Sequence, residues 1–379
     1  MLWGLDFWVG AIIGALLGVI AERVFGTPID ALIRGRKTHL ISKKSEHLMK
    51  LVGANKKLLH VGDELVYVRS FCPAGFQFNS RITVEDRSWY LKIKDVPEHF
   101  RSFVPTDGAS LERDIEAERE AIASDPGRWN ERKLGVDAVW DSRDPQTGRA
   151  ILDIGFTPSD FASSNVIGDW WQKNVSTEML DALDDNDLSR VISGMSHNFG
   201  LNATVRTSDN KLLLVERSGR ISSGRKKLHI SVNEGMQASD IDANNRPDLI
   251  GTLIRGTQEE LGVKVLAQDI TLHSLILDAS RYQWAVLGHI DLRERGVLAS
   301  DVIEARMASA AEDWWENSKI FPIDCVPNVI LEKLKNPAAW IAHGWVNLIL
   351  SSAIMFPDHQ SDFLSLLFSE SPRESHNCR

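Results

Sequence analysis

The sequence predicts an α+β protein: a mixed sheet between helices over its C-terminal half, a β-rich extension before it, and one transmembrane helix at its start. Three observations carry this. Phe7 to Ala21 holds no charged side chain. From residue 61 onward, short runs rich in β-branched and aromatic residues alternate with turn residues, the pattern of strands. Near residue 250 the apolar period becomes that of a helix, which carries Arg255, Glu259 and Glu260 and stops at Gly262.

The first element is the apolar run. Counted back to Leu2 it covers about 20 residues broken only by Asp6, or roughly 30 Å of helix. Trp3 and Trp8 suit an interfacial belt. No Lys or Arg precedes the run and no A-x-A site follows it, which favours a retained span over residues 2–22 rather than a cleaved signal. Basic residues from Arg23 to Lys57 crowd the following linker, residues 23–60, so the positive-inside bias places the globular part in the cytoplasm of a single-pass protein. Gly10, Gly14 and Gly18 form a stripe of small residues on one helix face, which lets two helices approach closely and predicts a homo-oligomer in the bilayer.

Residues 61–190 form the β-rich extension, with strands expected at Glu64–Val68, Arg81–Val84, Ser88–Ile93 and Ala150–Phe156, and a helix over Ser110–Ser124. Residues 191–357 form the main domain. Leu201–Thr207 and Leu212–Val215 flank a polar turn and read as a hairpin, and Leu228–Val232 is the next strand. A helix runs from Pro247 or Asp248 to Leu261, followed by strands at Ile270–Leu277 and Trp284–Ile290. Further helices are expected at Asp301–Trp315, Val326–Leu334 and Ala338–Met355. The last is uncharged, yet its His343, Asn347, Ser351 and Ser352 favour a helix packed in the domain over a second span. Residues 358–379 read as a tail, disordered from Ser369.

Composition narrows the function. A net charge of -9 argues against a binder of nucleic-acid duplexes, which rests on Lys and Arg neutralising phosphates. Cys72, Cys325 and Cys378 are widely spaced and lack a C-x-x-C, so neither a disulfide framework nor a zinc site is expected.

Chemistry concentrates on the helix ending at Gly262. Positions i and i+4 share a face, so Arg255 stands over Glu259 and Gly256 over Glu260. Glu259 and Glu260 are the candidate ligands for a divalent metal such as Mg²⁺, but Gly256 leaves Glu260 without a carboxylate partner. Asp240, Asp242 and Glu234, in or beside the acidic loop before the helix, are candidate substitutes, or simply solvated residues. Arg217, Arg220, Arg225, Lys226 and Lys227 lie on one loop with glycines and hydroxyls, either a seat for ligand phosphates or a plain surface loop. Glu234, Gly235 and Arg255 complete the candidate ligand-binding set. Trp170–Trp171 and Trp314–Trp315 are either base-stacking platforms or packing residues.

Residues 199–263 resemble the Nudix superfamily. FGLNATVRTSDNKLLLVERS is similar to its opening hairpin, and Glu234-Gly235-Met236 with Arg255-Gly-x-x-Glu259-Glu260-Leu-Gly262 is similar to its box, in the form of the SMODS-associated Nudix group. GFTPSDFASSN resembles the lead-in of Nudix proteins that carry an N-terminal extension. The stretch from Gly235 to Arg255 is longer than the family pattern, and Gly256 stands where hydrolases of the family carry a glutamate. The resemblance implies a Nudix fold and a bacterial inner-membrane effector of cyclic-oligonucleotide antiphage signalling (CBASS). In it, the Nudix-like part senses a cyclic oligonucleotide or other nucleotide, and the membrane helices assemble and disrupt the bilayer. The alternative is a membrane-anchored Nudix hydrolase that cleaves nucleoside diphosphate derivatives with metal on Glu259 and Glu260.

Overall fold

The computed structural model describes residues 58–83, 108–125, 128–192, 194–219, 224–308 and 316–368. The expected span over residues 2–22 with Gly10, Gly14 and Gly18, the linker up to residue 57, the strand at Ser88–Ile93, Arg220, Trp314–Trp315 and the tail from Ser369 lie outside them. Among the described residues no helix is long and apolar enough to cross a membrane.

The described residues open with strands β1 (Leu58–Val61), β2 (Glu64–Phe71) and β3 (Gln77–Ile82), then helix α1 (Gly108–Ser124), strands β4 (Arg132–Arg143) and β5 (Ala150–Asp160), and helices α2 (Phe161–Asn174), α3 (Thr177–Asp181) and α4 (Asp185–Leu188). Strands β6 (Phe199–Arg206), β7 (Lys211–Arg217), β8 (Leu228–Ile230) and β9 (Val232–Gly235) lead to helix α5 (Leu249–Leu261). Strands β10 (Ile270–Asp278) and β11 (Gln283–Asp291), helix α6 (Ala299–Met307), strand β12 (Asn317–Asp324) and helices α7 (Pro327–Leu334), α8 (Ala342–Met355) and α9 (Gln360–Phe368) complete it.

The main sheet runs β1-β2-β10-β11-β6-β7-β12, with β8 added to β7 and β9 to β6. It is mixed because β11 and β6 pair in parallel, from Trp284 against Phe199 to Asp291 against Arg206, while its other pairs are antiparallel. Strands β3, β5 and β4 form a second, three-stranded sheet.

The boundary expected at residue 190 does not separate two cores. Strand β2 pairs with β10, from Ser274 against Phe71 to Asp278 against Val66. Leu134, Val136, Leu152, Ile154 and Phe156 of the extension share one apolar cluster with Leu201, Ala203 and Val205 of β6 and Leu253 of α5. Edge strands need partners and apolar faces need cover, and the extension supplies both.

The hairpin exists, with Asn210 at φ 57 in its turn, but β6 and β7 pair only beside that turn. They then part. The single strand expected at Leu228–Val232 is broken at Ser231, its first half pairing with β7 and its second with β6. The helix expected over Asp301–Trp315 is Ala299–Met307, and β12 follows it. The start of the expected tail is helical as well, because Phe363, Leu364 and Leu367 of α9 are buried.

Alternate residues of β6 send Leu201, Ala203 and Val205 to the α5 side. On the other side α8 packs on the sheet, with Asn347 Nδ2 donating to the Asn202 carbonyl at 2.9 Å. Its His343, Ser351 and Asn347 all bond within the protein, so the polar residues on this apolar helix mark a packed element.

Candidate functional site

Helix α5 begins at Asp248, whose side chain accepts from Gly251 N–H, and ends at Gly262, which adopts the left-handed φ of 71. Its buried residues are Leu249, Thr252, Leu253, Gly256, Thr257, Glu260 and Leu261, a stripe at helical spacing. Gly256 and Glu260 therefore face the sheet, while Arg255 and Glu259 sit on its rim.

Arg255 is the centre of the rim. Its Nε and Nη2 donate to the two oxygens of Asp240, both at 2.9 Å, and its Nη1 donates to Glu259 Oε2 at 2.6 Å. Glu234 Oε1 is 3.4 Å from the same Nη1. Burial opposes the charge on Arg255, but Asp240, Glu234 and Glu259 outweigh it and hold the guanidinium proton more tightly than usual. Asp240 is thus an anchor for Arg255. Asp242 is exposed and accepts from the backbone N–H of Asn244 and Arg246 in its own turn.

Glu260 points inward. Its Oε1 accepts from Asn233 N–H at 2.7 Å and its Oε2 from Asn317 Nδ2 at 3.3 Å. Burial, then the nearby Glu234, push its carboxyl well above the ordinary range. Glu234 itself is pushed up to about 7, mainly by burial and against the pull of Arg255.

The glycine at 256 has a steric reason. A Cβ there would lie 2.9 Å from both Cβ and Cγ of Glu234 and 3.0 Å from its Oε2. Glu234 on β9 thus fills the space that a side chain at 256 would take. Its carboxylate therefore lies against the helix face that carries Gly256 and Glu260.

A divalent metal, which the resemblance implies, finds a changed donor set. Among the described residues no group of three or more His, Cys, Asp or Glu is arranged to hold one. The expected pair does not converge, since Glu259 turns to Arg255 and Glu260 to Asn233 and Asn317. The charge of Glu234 acts on Glu260, and buried Asn317 has an Oδ1 without a partner among the described residues. Two carboxylates and an amide oxygen fit Mg²⁺ or Mn²⁺, hard cations that take one or two carboxylates and keep several waters. Asn317 was hidden in the sequence by the helix expected over its neighbours, although Ile320, Phe321 and Ile323 form a short apolar run of the kind that marks a strand.

Two of the basic side chains described in the loop are bound to acidic partners. Arg217 is buried and donates from Nη1 to Glu316 at 3.0 Å, while Lys227 donates to Asp63 at 2.6 Å and to Glu64 at 3.4 Å. Arg225 and Lys226 are exposed. Gly235 pairs with Gly200 across β9 and β6, and its carbonyl accepts from Arg255 Nη2 at 3.4 Å. Trp171 is a core residue, packed on Tyr282 with ring centroids 4.5 Å apart and donating to the Ala279 carbonyl at 2.8 Å.

The extension reaches this site too. Leu134 N–H donates to the Met236 carbonyl, and Lys133 lies 3.5 Å from where a Cβ on Gly235 would stand. The alternation of Leu134, Val136, Ala138 and Trp140 was the overlooked sign of β4.

No protein-family model matches the chain, and no curated protein matches it. Solved structures similar to it include the DR0079 protein from Deinococcus radiodurans, at 15% identity over 41% of this chain and 81% of that one, with a TM-score of 0.27. A MutT/nudix family protein from Enterococcus faecalis is 13% identical over 45% of this chain and 67% of that one, with a TM-score of 0.26. A bifunctional NMN adenylyltransferase/ADP ribose pyrophosphatase from Francisella tularensis, complexed with AMP and a Mn ion, is 10% identical over 44% of this chain and 41% of that one, with a TM-score of 0.24. The mixed sheet, with helix α5 following β9, agrees with the α+β class expected from the sequence.

Proposed function

We propose that this protein is a membrane-anchored nucleotide sensor of bacterial antiphage defence, whose Nudix-like domain takes a cyclic oligonucleotide and drives assembly of its N-terminal helices in the inner membrane. One observation carries the choice of sensing over cleavage: position 256 of the box helix is glycine, and Glu234 packs where its side chain would be. The box helix thus offers Glu260 no second carboxylate of its own. The apolar run from Phe7 to Ala21, the basic residues after it and Gly10, Gly14 and Gly18 support the anchor and its assembly. Ligand binding drives assembly only if the assembled state binds more tightly.

A second reading, a hydrolase of nucleoside diphosphate derivatives, is favoured by the packing of the Glu234 carboxylate against Gly256, on the buried helix face that also carries Glu260. The full chain in lipid nanodiscs separates the two. Calorimetric titration with cyclic di- and trinucleotides, and chromatography of ADP-ribose and dinucleoside polyphosphates incubated with Mg²⁺, are read side by side. Saturable binding of a cyclic oligonucleotide without new products supports sensing. Rapid Mg²⁺-dependent product formation from a pyrophosphate overturns it.

A further inference from the structure

We propose that the facing imidazoles of His229 on β8 and His343 on α8 form a proton-sensitive catch, which holds the start of α8 on the sheet while one of the two facing nitrogens is bare and opens when both carry a proton. This goes beyond the sensing reading and does not depend on it.

The hydrogen-bond pattern fixes the proton count. His229 Nδ1 lies 2.9 Å from the Ile230 carbonyl, which only accepts, so Nδ1 carries the proton of the neutral ring. Its Nε2 is then bare and accepts from His343 Nε2–H across 2.8 Å. A second proton on His229 sets two N–H groups against each other, and the contact between strand and helix is lost. Helix α8 sits directly on this ring. A Cβ at Gly344 would lie 3.1 Å from His229 Cδ2, and the two imidazole centroids are 4.7 Å apart. His229 is fully buried, while His343 is partly exposed and gives protons a way in. Farther along the helix His273 bonds Ser351, whose hydroxyl serves either protonation state, so the catch is confined to the start of α8.

The surroundings oppose a charge on the pair. Burial, then Arg217 of β7, lowers His229 to about 3. Loss of water, then His229, Arg281 and Arg217, hold His343 well below the ordinary 6.5. From β2, Glu64 accepts from Ala342 N–H at 2.7 Å, and its other oxygen lies 3.4 Å from Lys227 and 3.6 Å from Arg281. The charged residues at α7 and α9, Glu332, Lys333, Lys335, His359 and Asp362, are exposed. Lifting α8 returns both rings to water, where they take up protons near 6.5. The closed contact is therefore fully present above pH 6.5 and is lost as pH falls from there towards 3, by up to about tenfold per pH unit for each histidine. Buried Asp278, raised to about 6, shifts in the opposite sense and does not imitate this loss.

The test follows hydrogen–deuterium exchange by mass spectrometry in the full chain in detergent, from about pH 7 to about pH 5, corrected for the intrinsic pH dependence of exchange. Amides of residues 345–349 in α8 are compared with those of residues 253–261 in α5, on the opposite side of the sheet. Below pH 6.5 protection of the α8 amides is expected to fall by about tenfold to a hundredfold per pH unit, while α5 keeps its own. His229→Gln and His343→Gln, which cannot take up the charge, should each reduce that fall by up to about tenfold per unit. His359→Gln, at an exposed site just before α9, should leave it as in the parent. Circular dichroism confirms that each variant is folded, and if neither of the first two folds, the exchange of the parent decides alone. Protection of α8 that stays constant across this pH range overturns the proposal. So does a loss shared equally by α5, or a slope unchanged in either folded variant of the pair. No nucleotide is present, so the result leaves ligand sensing to its own titration.

Discussion

Gly256→Ala is the sharpest test of the packing between α5 and β9. In an open helix this change stabilises by about 1 kcal/mol, because alanine is the better helix former. Here the new methyl would stand 2.9 Å from Glu234 Cβ and Cγ. Real Cβ atoms do not approach so closely, and the Cβ of Glu234 moves only with its strand. Overpacking of this kind costs about 1–3 kcal/mol. The net expectation is a loss of up to about 2 kcal/mol, with a lower melting midpoint for the full chain in detergent. Glu234→Gly removes all three crowding atoms, so in that background Gly256→Ala should recover its usual gain. A double-mutant cycle should then show a coupling of about 1–3 kcal/mol. If Gly256→Ala alone melts higher than the parent, or the cycle shows no coupling, the close approach of strand and helix is refuted.

Two further outcomes follow from buried charge. Arg255→Lys keeps a cation but cannot reach both oxygens of Asp240 and Glu259 at once, so a loss of about 1–3 kcal/mol in thermal stability is expected; a melting curve that overlays the parent would refute the clamp. Asp278, 3% exposed, is raised by burial from the ordinary 3.8 to about 6. The folded state therefore keeps its proton longer than the unfolded chain. The protein loses roughly 3 kcal/mol through this group as pH rises from 3.8 to 6, and the loss stays constant above 6. Asp278→Asn should remove that slope and raise the melting midpoint at pH 7; a midpoint that falls at pH 7 would count against it.

What the sequence made legible is what local pattern specifies. The box helix declared itself by its apolar period and its Gly262 stop, and β10 and β11 by dense β-branched and apolar runs. The turn at Asn210 was equally plain. Pairings between distant segments were not, because no local signal encodes them. Nothing in Glu64–Phe71 says that it lies beside β10, and the parallel contact of β11 with β6 joins strands separated in the chain by β7, β8, β9, α5 and β10. The site follows the same division. The Arg255–Glu259 pair is one turn of a helix and could be read directly. That Glu234 fills the place of a residue at 256, or that Arg217 and Lys227 are spent on Glu316, Asp63 and Glu64, depends on contacts that only the folded chain creates.

The outermost strand of the main sheet has a practical consequence. Leu58–Val61 covers the backbone of Glu64–Tyr67, so trimming the protein to begin just after residue 61 would leave that row of amides and carbonyls bare. Two such trimmed molecules would find in each other the missing neighbour, and clumping in the test tube would be mistaken for a response to ligand. Any shortened version used for titrations should therefore begin well ahead of Leu58.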